Sequence, residues 1–358
     1  MSQYLTINNR QIGPGFSVYV IAELSANHNQ NFDAAVRLVN AAKEVGADAI
    51  KLQTYTPDTL TIPSDKPFFQ VGGGTLWDGC TLYDLYSKAY TPWDWQPKLK
   101  ALAEQLGIDC FSTPFDATAV DFLEEMNVPA HKIASFELVD LPLIRYVAQT
   151  RKPIIMSTGM ATLAEIDEAV RTAREAGGDQ IALLKCNSCY PAPVAEMHLR
   201  TIPHMAEAFG LPVGLSDHTL DAAVPVAAVV LGACIIEKHL TLSRDNSGPD
   251  SRFSLEPHEF KNMVAAVRTA EKAMGSVHYD VTPQEEASRV FRRSLFVVKD
   301  IKAGELFTIQ NVRSIRPSHG LHTRHLEDVL GRKAAVAIAA GTPLAWDFIG
   351  RANEAINH

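Results

Sequence analysis

The chain has 358 residues, 46% hydrophobic and 21% charged, the balance of a globular protein with material for a large core. Acidic residues outnumber basic ones, 41 to 33, and the formal net charge of −8 leaves no electrostatic footprint for nucleic acid; an anionic ligand would need a local positive pocket. No apolar run reaches the roughly 18 residues of a membrane span, and the nearest, 222–236, contains Pro225 and reads as a helix leading into a strand.

The N-terminal text lacks a basic region followed by an apolar one, so no signal peptide is expected. Residues 6–15, TINNRQIGPG, read as a small hairpin that plugs the bottom of a barrel. The barrel is read from eight short apolar runs, each ending in polar residues that packing does not require: VYVIAEL, DAIKLQT, DCFSTP, HKIASFE, PIIMSTG, IALLKCNS, PVGLSDH and CIIEKH. Each is followed by a helix-like stretch. Buried β-branched runs alternating with amphipathic helices argue for parallel βα units, and eight such units close a (β/α)8 TIM barrel. The first strand falls at 18–24, the first helix at 32–45 and the second strand at 48–54. A long aromatic connection, 55–91, is expected to lie over the barrel mouth as a lid or substrate wall, or else to be a packing subdomain. Further helices fall near 93–106, 116–126, 140–150, 162–176, 198–209, 219–231 and 256–274, with a polar Gly/Pro loop at 243–253.

The barrel domain is thus read as 1–275. Residues 276–293 are polar and charged and read as a linker. From 294 to 358 the text turns to short β-like pieces, a small β-rich domain. The phrases at 301–305 and 338–342 resemble each other at a spacing of 37, which suggests internal pseudosymmetry. Five cysteines at irregular spacing point to a reduced, cytoplasmic protein. Cys186 and Cys189, a lone C-x-x-C, read as ordinary thiols.

The C-terminal strand ends of such a barrel form its active site. This chain places Glu23, Lys51, Thr113, Lys132, Ser135, Glu137, Ser157, Ser188, Ser216, His218 and His239 there. His218 and His239 end adjacent strands, so two inward imidazoles could share a catalytic metal, or each could bond locally. Glu23, beside them, could act as a base on water or form a salt bridge. Lys51 and Lys132 need anionic partners at the mouth: a carboxylate or phosphate ligand, or Lys–Glu pairs with Glu23 and Glu137. Simple alternation cannot put Lys132, Ser135 and Glu137 on one face, so a bend or bulge is expected there.

The phrases IAELSANHNQ, GADAIKLQTY, FSTPFD, KIASFE, PIIMSTGMA, YPAP, GLSDHT, IEKHLTL and GPDSRFSLEP resemble the sialic acid synthase family, and the C-terminal region is similar to antifreeze-like (SAF) domains. The loop text TLWDGCTLYDLYSKAYTPWDW resembles the pseudaminic acid branch rather than the N-acetylneuraminate or legionaminate branches. The resemblance implies condensation of phosphoenolpyruvate with an amino-sugar aldehyde, 2,4-diacetamido-2,4,6-trideoxy-β-L-altropyranose, in a pathway serving flagellin glycosylation. It assigns Lys51, Thr113, Lys132, Ser135, Ser157, Ser188 and Ser216 to phosphoenolpyruvate. Glu137, Tyr190, Asp250 and Arg316 fall to the sugar, and Glu23, His218 and His239 to catalysis. The two histidines would hold a divalent metal, manganese, with magnesium or cobalt as alternatives. Asn187-Ser188 departs from the Thr-Asn of sialic acid synthases, which weakens the case for Ser188. Arg316 would reach a partner's barrel, implying a domain-swapped homodimer. Other readings are a metal-dependent aldolase or isomerase, which has less use for two lysines and a hydroxyl ring, and a non-catalytic sugar binder, against which the intact polar rim argues.

Overall fold

The computed structural model describes residues 4–245 and 248–350, in two compact units split at Gly275–Ser276. Asn246 and Ser247 of the polar loop, residues 1–3, and 351–358 of the C-terminal domain lie outside the described residues. The first unit opens with β1 (Leu5–Ile7) and β2 (Arg10–Ile12), an antiparallel hairpin. Its turn residues Asn8 and Asn9 have φ of 44° and 66°, a left-handed pair that Asn tolerates.

The repeating units come next in chain order. β3 (Tyr19–Glu23) leads to α1 (Phe32–Glu44), and β4 (Ala49–Thr54) to α2 (Pro57–Leu60), α3 (Leu82–Ala89) and α4 (Gln96–Leu106). β5 (Asp109–Pro114) leads to α5 (Ala117–Glu125), β6 (His131–Ile133) to α6 (Leu141–Gln149), and β7 (Ile154–Ser157) to α7 (Leu163–Glu175). β8 (Ile181–Cys186) leads to α8 (Thr201–Phe209), β9 (Val213–Asp217) to α9 (Ala223–Val230), and β10 (Ile235–His239) to α10 (Pro257–Met274). Strands β3 to β10 form a closed parallel barrel, with β10 pairing back onto β3. Local chemistry marks the helix ends: Asn31 and Asp116 accept from backbone amides at the starts of α1 and α5, and Gly107 and Gly210 end α4 and α8 in the left-handed region. Among the described residues no helix is long and apolar enough to cross a membrane.

Alternation along each strand sorts the core in two. Val20, Ile50, Ile154, Leu183, Leu215 and Ile236 point outward and pack with helix residues such as Leu38, Val147 and Val267. Tyr19, Ile21, Phe111, Ile155, Leu184 and Ile235 fill the interior, and Leu5, Ile7 and Ile12 of the hairpin join that same cluster. The hairpin therefore closes the bottom, as expected. Between β9 and β10, Lys238 Nζ donates to Asp217 at 2.5 Å with both side chains buried, so each charge meets its counterion.

The second unit contains α11 (Pro283–Glu286), a 3-10 turn at Ala287–Phe291, β11 (Ser294–Val297), β12 (Val312–Ile315) and α12 (Leu326–Val329). Segments 300–306 and 334–343 make isolated antiparallel bridges rather than strands, because their pairing partners are single residues. The 37-residue repeat is present in the backbone bonds. Ile301 and Ile338 exchange N–H···O bonds of 2.9 and 2.8 Å. The bond from Gly304 N to Ala334 O is matched by Gly341 N to Val297 O, both 2.8 Å, and Phe307 N to Arg332 O by Leu344 N to Leu295 O, both 2.9 Å. Each second member is the first shifted by 37 residues with the halves exchanged. A single core of Leu295, Val297, Ile301, Phe307, Ile338 and Leu344 lies between the halves.

Gly214 on β9 sits in the barrel interior, where an added Cβ would lie 2.6 Å from Ile235 Cβ and 2.7 Å from Leu184 Cδ2 and would press on the Ile235 carbonyl. Gly214→Ala should therefore destabilise the barrel by about 1–3 kcal/mol through overpacking, read as a lowered denaturation midpoint.

Candidate active site

Above the apolar interior the inward positions become polar, because the same alternation continues to the strand ends. β3 and β10 bring Glu23 and His239 into register, β4 brings Lys51 beside Glu23, and β9 and β10 bring Ser216 beside Glu237. Lys51, Lys132, Ser135, Glu137, Ser157, Tyr190, Ser216, His218, His239 and Asp250 all line one cavity of about 490 Å³ at this end of the barrel. Glu23 and Thr113 stand directly behind Lys51. Its ammonium lies 2.8 Å from Glu23 Oε2 and donates to Thr113 Oγ1 at 3.2 Å. Ser188 does not line this cavity; its Oγ stands beside Gly159, 3.8 Å from the cavity-lining Cys186 Sγ. Arg316 belongs to the second unit, exposed beside Pro317.

The floor is a four-charge cluster. Glu237 Oε1 lies 3.6 Å from Lys51 Nζ and 3.8 Å from Lys132 Nζ, and accepts from Ser216 Oγ at 3.3 Å. Burial works against its charge, yet Lys132 and Lys51 hold the Glu237 carboxyl below its ordinary value. Glu23 is raised to about 7, chiefly by burial; Lys51 opposes the rise and the charge of Glu237 adds to it. Burial lowers Lys132, whose ammonium donates to Ser157 Oγ at 2.6 Å. Lys132 thus pairs with Glu237 and not with Glu137. The expected bend near strand four is a strand end: β6 stops at Ile133 and a 3-10 turn over Ser135–Glu137 turns Ser135 and Glu137 to the cavity.

Ser135 Oγ accepts from the Gly159 amide at 3.0 Å, which leaves its own O–H free to donate. A Cβ at Gly159 would meet Ser135 Oγ at 2.7 Å and collide with Ser188 Oγ, so only glycine lets the backbone approach these hydroxyls.

The two imidazoles stand 5.3 Å apart, centroid to centroid. His218 Nδ1 donates to the Asn187 carbonyl at 2.8 Å, which orients the ring; burial works against its charge, but Cys186 and the Asn187 carbonyl hold its pKa above the ordinary value. His239 is kept neutral, its pKa well below the ordinary value from burial and from His218, and its Nδ1 is a buried nitrogen with no partner among the described residues. An imidazole oriented by a backbone carbonyl beside a second one that burial keeps neutral fits a divalent metal that keeps positions open for water and substrate, the metal taking the place of the proton that His218 otherwise holds. Among the described residues no set of three metal-holding side chains forms.

A model described as the NeuB family matches residues 38–279, and an SAF domain model matches 292–350. The chain is 45% identical to the pseudaminic acid synthase of Helicobacter pylori, over 93% of this chain and 98% of that protein. This chain belongs to the NeuB family. It is 46% identical to the pseudaminic acid synthase of Campylobacter jejuni, over 91% of this chain and 95% of that one. Among solved structures it is similar to the N-acetylneuraminic acid synthetase of Leptospira borgpetersenii in complex with citrate. That match has a TM-score of 0.71 and 29% identity and covers 80% of this chain and 95% of the other.

Within this NeuB-family barrel, sequence reasoning passed over three floor residues. Glu237 was visible two positions before His239 on the same inward face. Gln53, two positions after Lys51, donates to Glu23 Oε1 at 3.0 Å and to Ser25 Oγ at 3.1 Å. Cys186 lines the cavity rather than standing apart as an ordinary thiol; burial opposes its ionisation, but His218 and Ser135 bring it down to about 7. Asp250, raised by burial, accepts from Ser25 Oγ and from the Ala26 amide at 3.3 Å.

Burial raises Glu137 to about 7, and its Oε2 has no partner among the described residues. A carboxyl raised on folding adds stability that is fully present below about 4.5 and is lost as pH rises through 7. Glu137→Gln should therefore match the parent at pH 4 and exceed it at pH 8, by about 3 kcal/mol, in denaturant melts.

Proposed function

We propose that this chain is a pseudaminic acid synthase, condensing phosphoenolpyruvate with 2,4-diacetamido-2,4,6-trideoxy-β-L-altropyranose and water to give pseudaminate and phosphate. One observation carries the reading: two buried lysines and a ring of hydroxyls share a single cavity with two imidazoles. An anion site and a carbonyl-activating site thus have a common floor, as a reaction joining a phosphorylated enol to an aldehyde requires. The identity to pseudaminic acid synthases supports the choice of sugar.

In this reading Lys51 and Lys132, with Thr113, Ser135, Ser157, Ser188 and Ser216, hold the carboxylate and phosphate of phosphoenolpyruvate. Glu137, Tyr190 and Asp250 hold the sugar. His218 and His239 would carry a divalent metal, manganese, with magnesium or cobalt as alternatives, which polarises the aldehyde carbonyl when bound. C3 of phosphoenolpyruvate forms the bond to the aldehyde carbon. Water adds at C2, and the tetrahedral carbon then breaks its bond to the phosphate oxygen, so phosphate leaves by C–O cleavage. Glu23 takes the proton of that water; a carboxyl raised to about 7 is suited to gaining and losing a proton near neutral pH.

The same proposal includes a domain-swapped homodimer in which Arg316 of a second copy reaches the sugar. Exposed Phe136, Met160, Leu163, Val194 and Leu220 come after β6 to β9 at the mouth and offer an apolar rim for such a partner. The five cysteines are unpaired, in keeping with action in the cytoplasm.

The test is incubation with phosphoenolpyruvate, manganese and each of three amino sugars, following phosphate and product mass. Pseudaminate from the altrose-configured sugar is expected; product from N-acetylmannosamine alone would overturn the assignment. Lys132→Ala should raise the KM for phosphoenolpyruvate by about 10-fold or more, as loss of a charged contact worth roughly 1.5–3 kcal/mol implies. Unchanged kinetics would remove Lys132 from the anion site.

A further inference from the structure

The cavity has two unlike sides. Its floor is charged, whereas the wall built by the connection between β4 and α4 is mostly apolar: Val71, Trp77, Leu82 and Leu85 line it, with Tyr55 and Tyr86 its only hydroxyl-bearing residues among those described. α3 is amphipathic, yet none of its residues is buried, and Leu82 and Leu85 belong to no hydrophobic core of the described residues. An apolar helix face three residues apart, turned to a ligand cavity instead of a core, is surface that a ligand covers.

Contacts within the protein hold the wall in place. Trp77 Nε1 donates to the Pro249 carbonyl at 3.0 Å, and Asp78 accepts from the amides of Gly74 and Thr75, each at 2.9 Å. The Trp77 ring lies 5.7 Å from that of Tyr190, which lies 4.3 Å from His218. Two ring contacts therefore lead from the imidazoles to the wall. The wall thus stands within reach of the far end of an open-chain sugar whose aldehyde meets the histidines.

We infer that Leu82 and Leu85 are specificity-determining residues that select a sugar ending in a methyl group over one ending in a hydroxymethyl group. The inference rests on the synthase reading above and adds the element that reads the sugar's end. A methyl there covers leucine side chains. A hydroxyl there gives up its water and gains no partner from them, because neither leucine nor the Trp77 N–H, already donated, can bond it. Apolar pockets discriminate against an added hydroxyl by about 100-fold at most, so the expected preference is roughly 10- to 100-fold.

The experiment compares kcat/KM for the 6-deoxy sugar and for the same sugar bearing a 6-hydroxyl, in the parent, Leu85→Asn and Leu82→Ser. The parent should favour the 6-deoxy sugar, and each variant should narrow the ratio by about 10-fold while the KM for phosphoenolpyruvate stays as it was. An unchanged ratio in both variants, each folded by its melting curve, overturns the inference. If the parent turns over neither sugar, the synthase reading fails separately. Binding of the same two sugars, followed by tryptophan fluorescence with Trp77→Phe as control, then decides the wall: tighter binding of the 6-deoxy form sustains it, and equal affinity overturns it.

Discussion

Lys51 and Lys132 can stand inside a closed barrel only because Glu23 and Glu237 stand with them. The barrel interior offers little water, and an unpaired ammonium there costs several kcal/mol. Glu237 lies between the two lysines, and Glu23 takes the far side of Lys51. The four groups come from β3, β4, β6 and β10, so closure of the sheet is what brings the charges together. In turn the cluster sets the neighbouring groups: it helps to depress His239 and to hold Glu237 ionised. With two positive and two negative groups the floor is close to neutral. An incoming trianion therefore depends on hydroxyl donors, on a bound cation, or on protonation of Glu23 for the rest of its stabilisation.

The barrel was legible because its signal is local. Each strand is a short apolar run with its polar end in sequence, and period two assigns the inward face without tertiary knowledge. The same rule carried through CIIEKH would have added Glu237, and through DAIKLQT would have added Gln53; attention to the strand ends alone passed over the residue two positions earlier in one and two later in the other. That the chain departs from a plain strand near Ser135 was legible from the broken alternation of Lys132, Ser135 and Glu137, but the form of the departure was not, because a three-residue 3-10 segment leaves no periodic trace. The connection at 55–91 was recognisable as unusual, but its shape depends on distant partners: Pro249 for Trp77, and Tyr190 and Phe253 for the aromatic packing. The β-like text of the second unit overstated its strands, since most of its pairing is single-residue.

Strands and connections divide the work of the site. The strand ends supply charge and hydroxyls, fixed by a sheet that cannot shift one position without turning its interior outward. The connection supplies shape and apolar surface, held by one indole hydrogen bond, an aspartate-capped turn and ring contacts. A side chain in the connection can change without disturbing the barrel's hydrogen bonds. A change on the floor alters several charges together.

The 37-residue relation in the second unit bears on how that unit comes to exist at all. Every bond in the repeated set runs from one half to the other, Ile301 to Ile338, Gly304 to Ala334 and Gly341 to Val297. The first half keeps one ladder of its own, β11 against β12, whereas the repeated bonds and the shared hydrophobic cluster join the two halves. The second half therefore takes its backbone order from the first, and loosening either half exposes the one core they share.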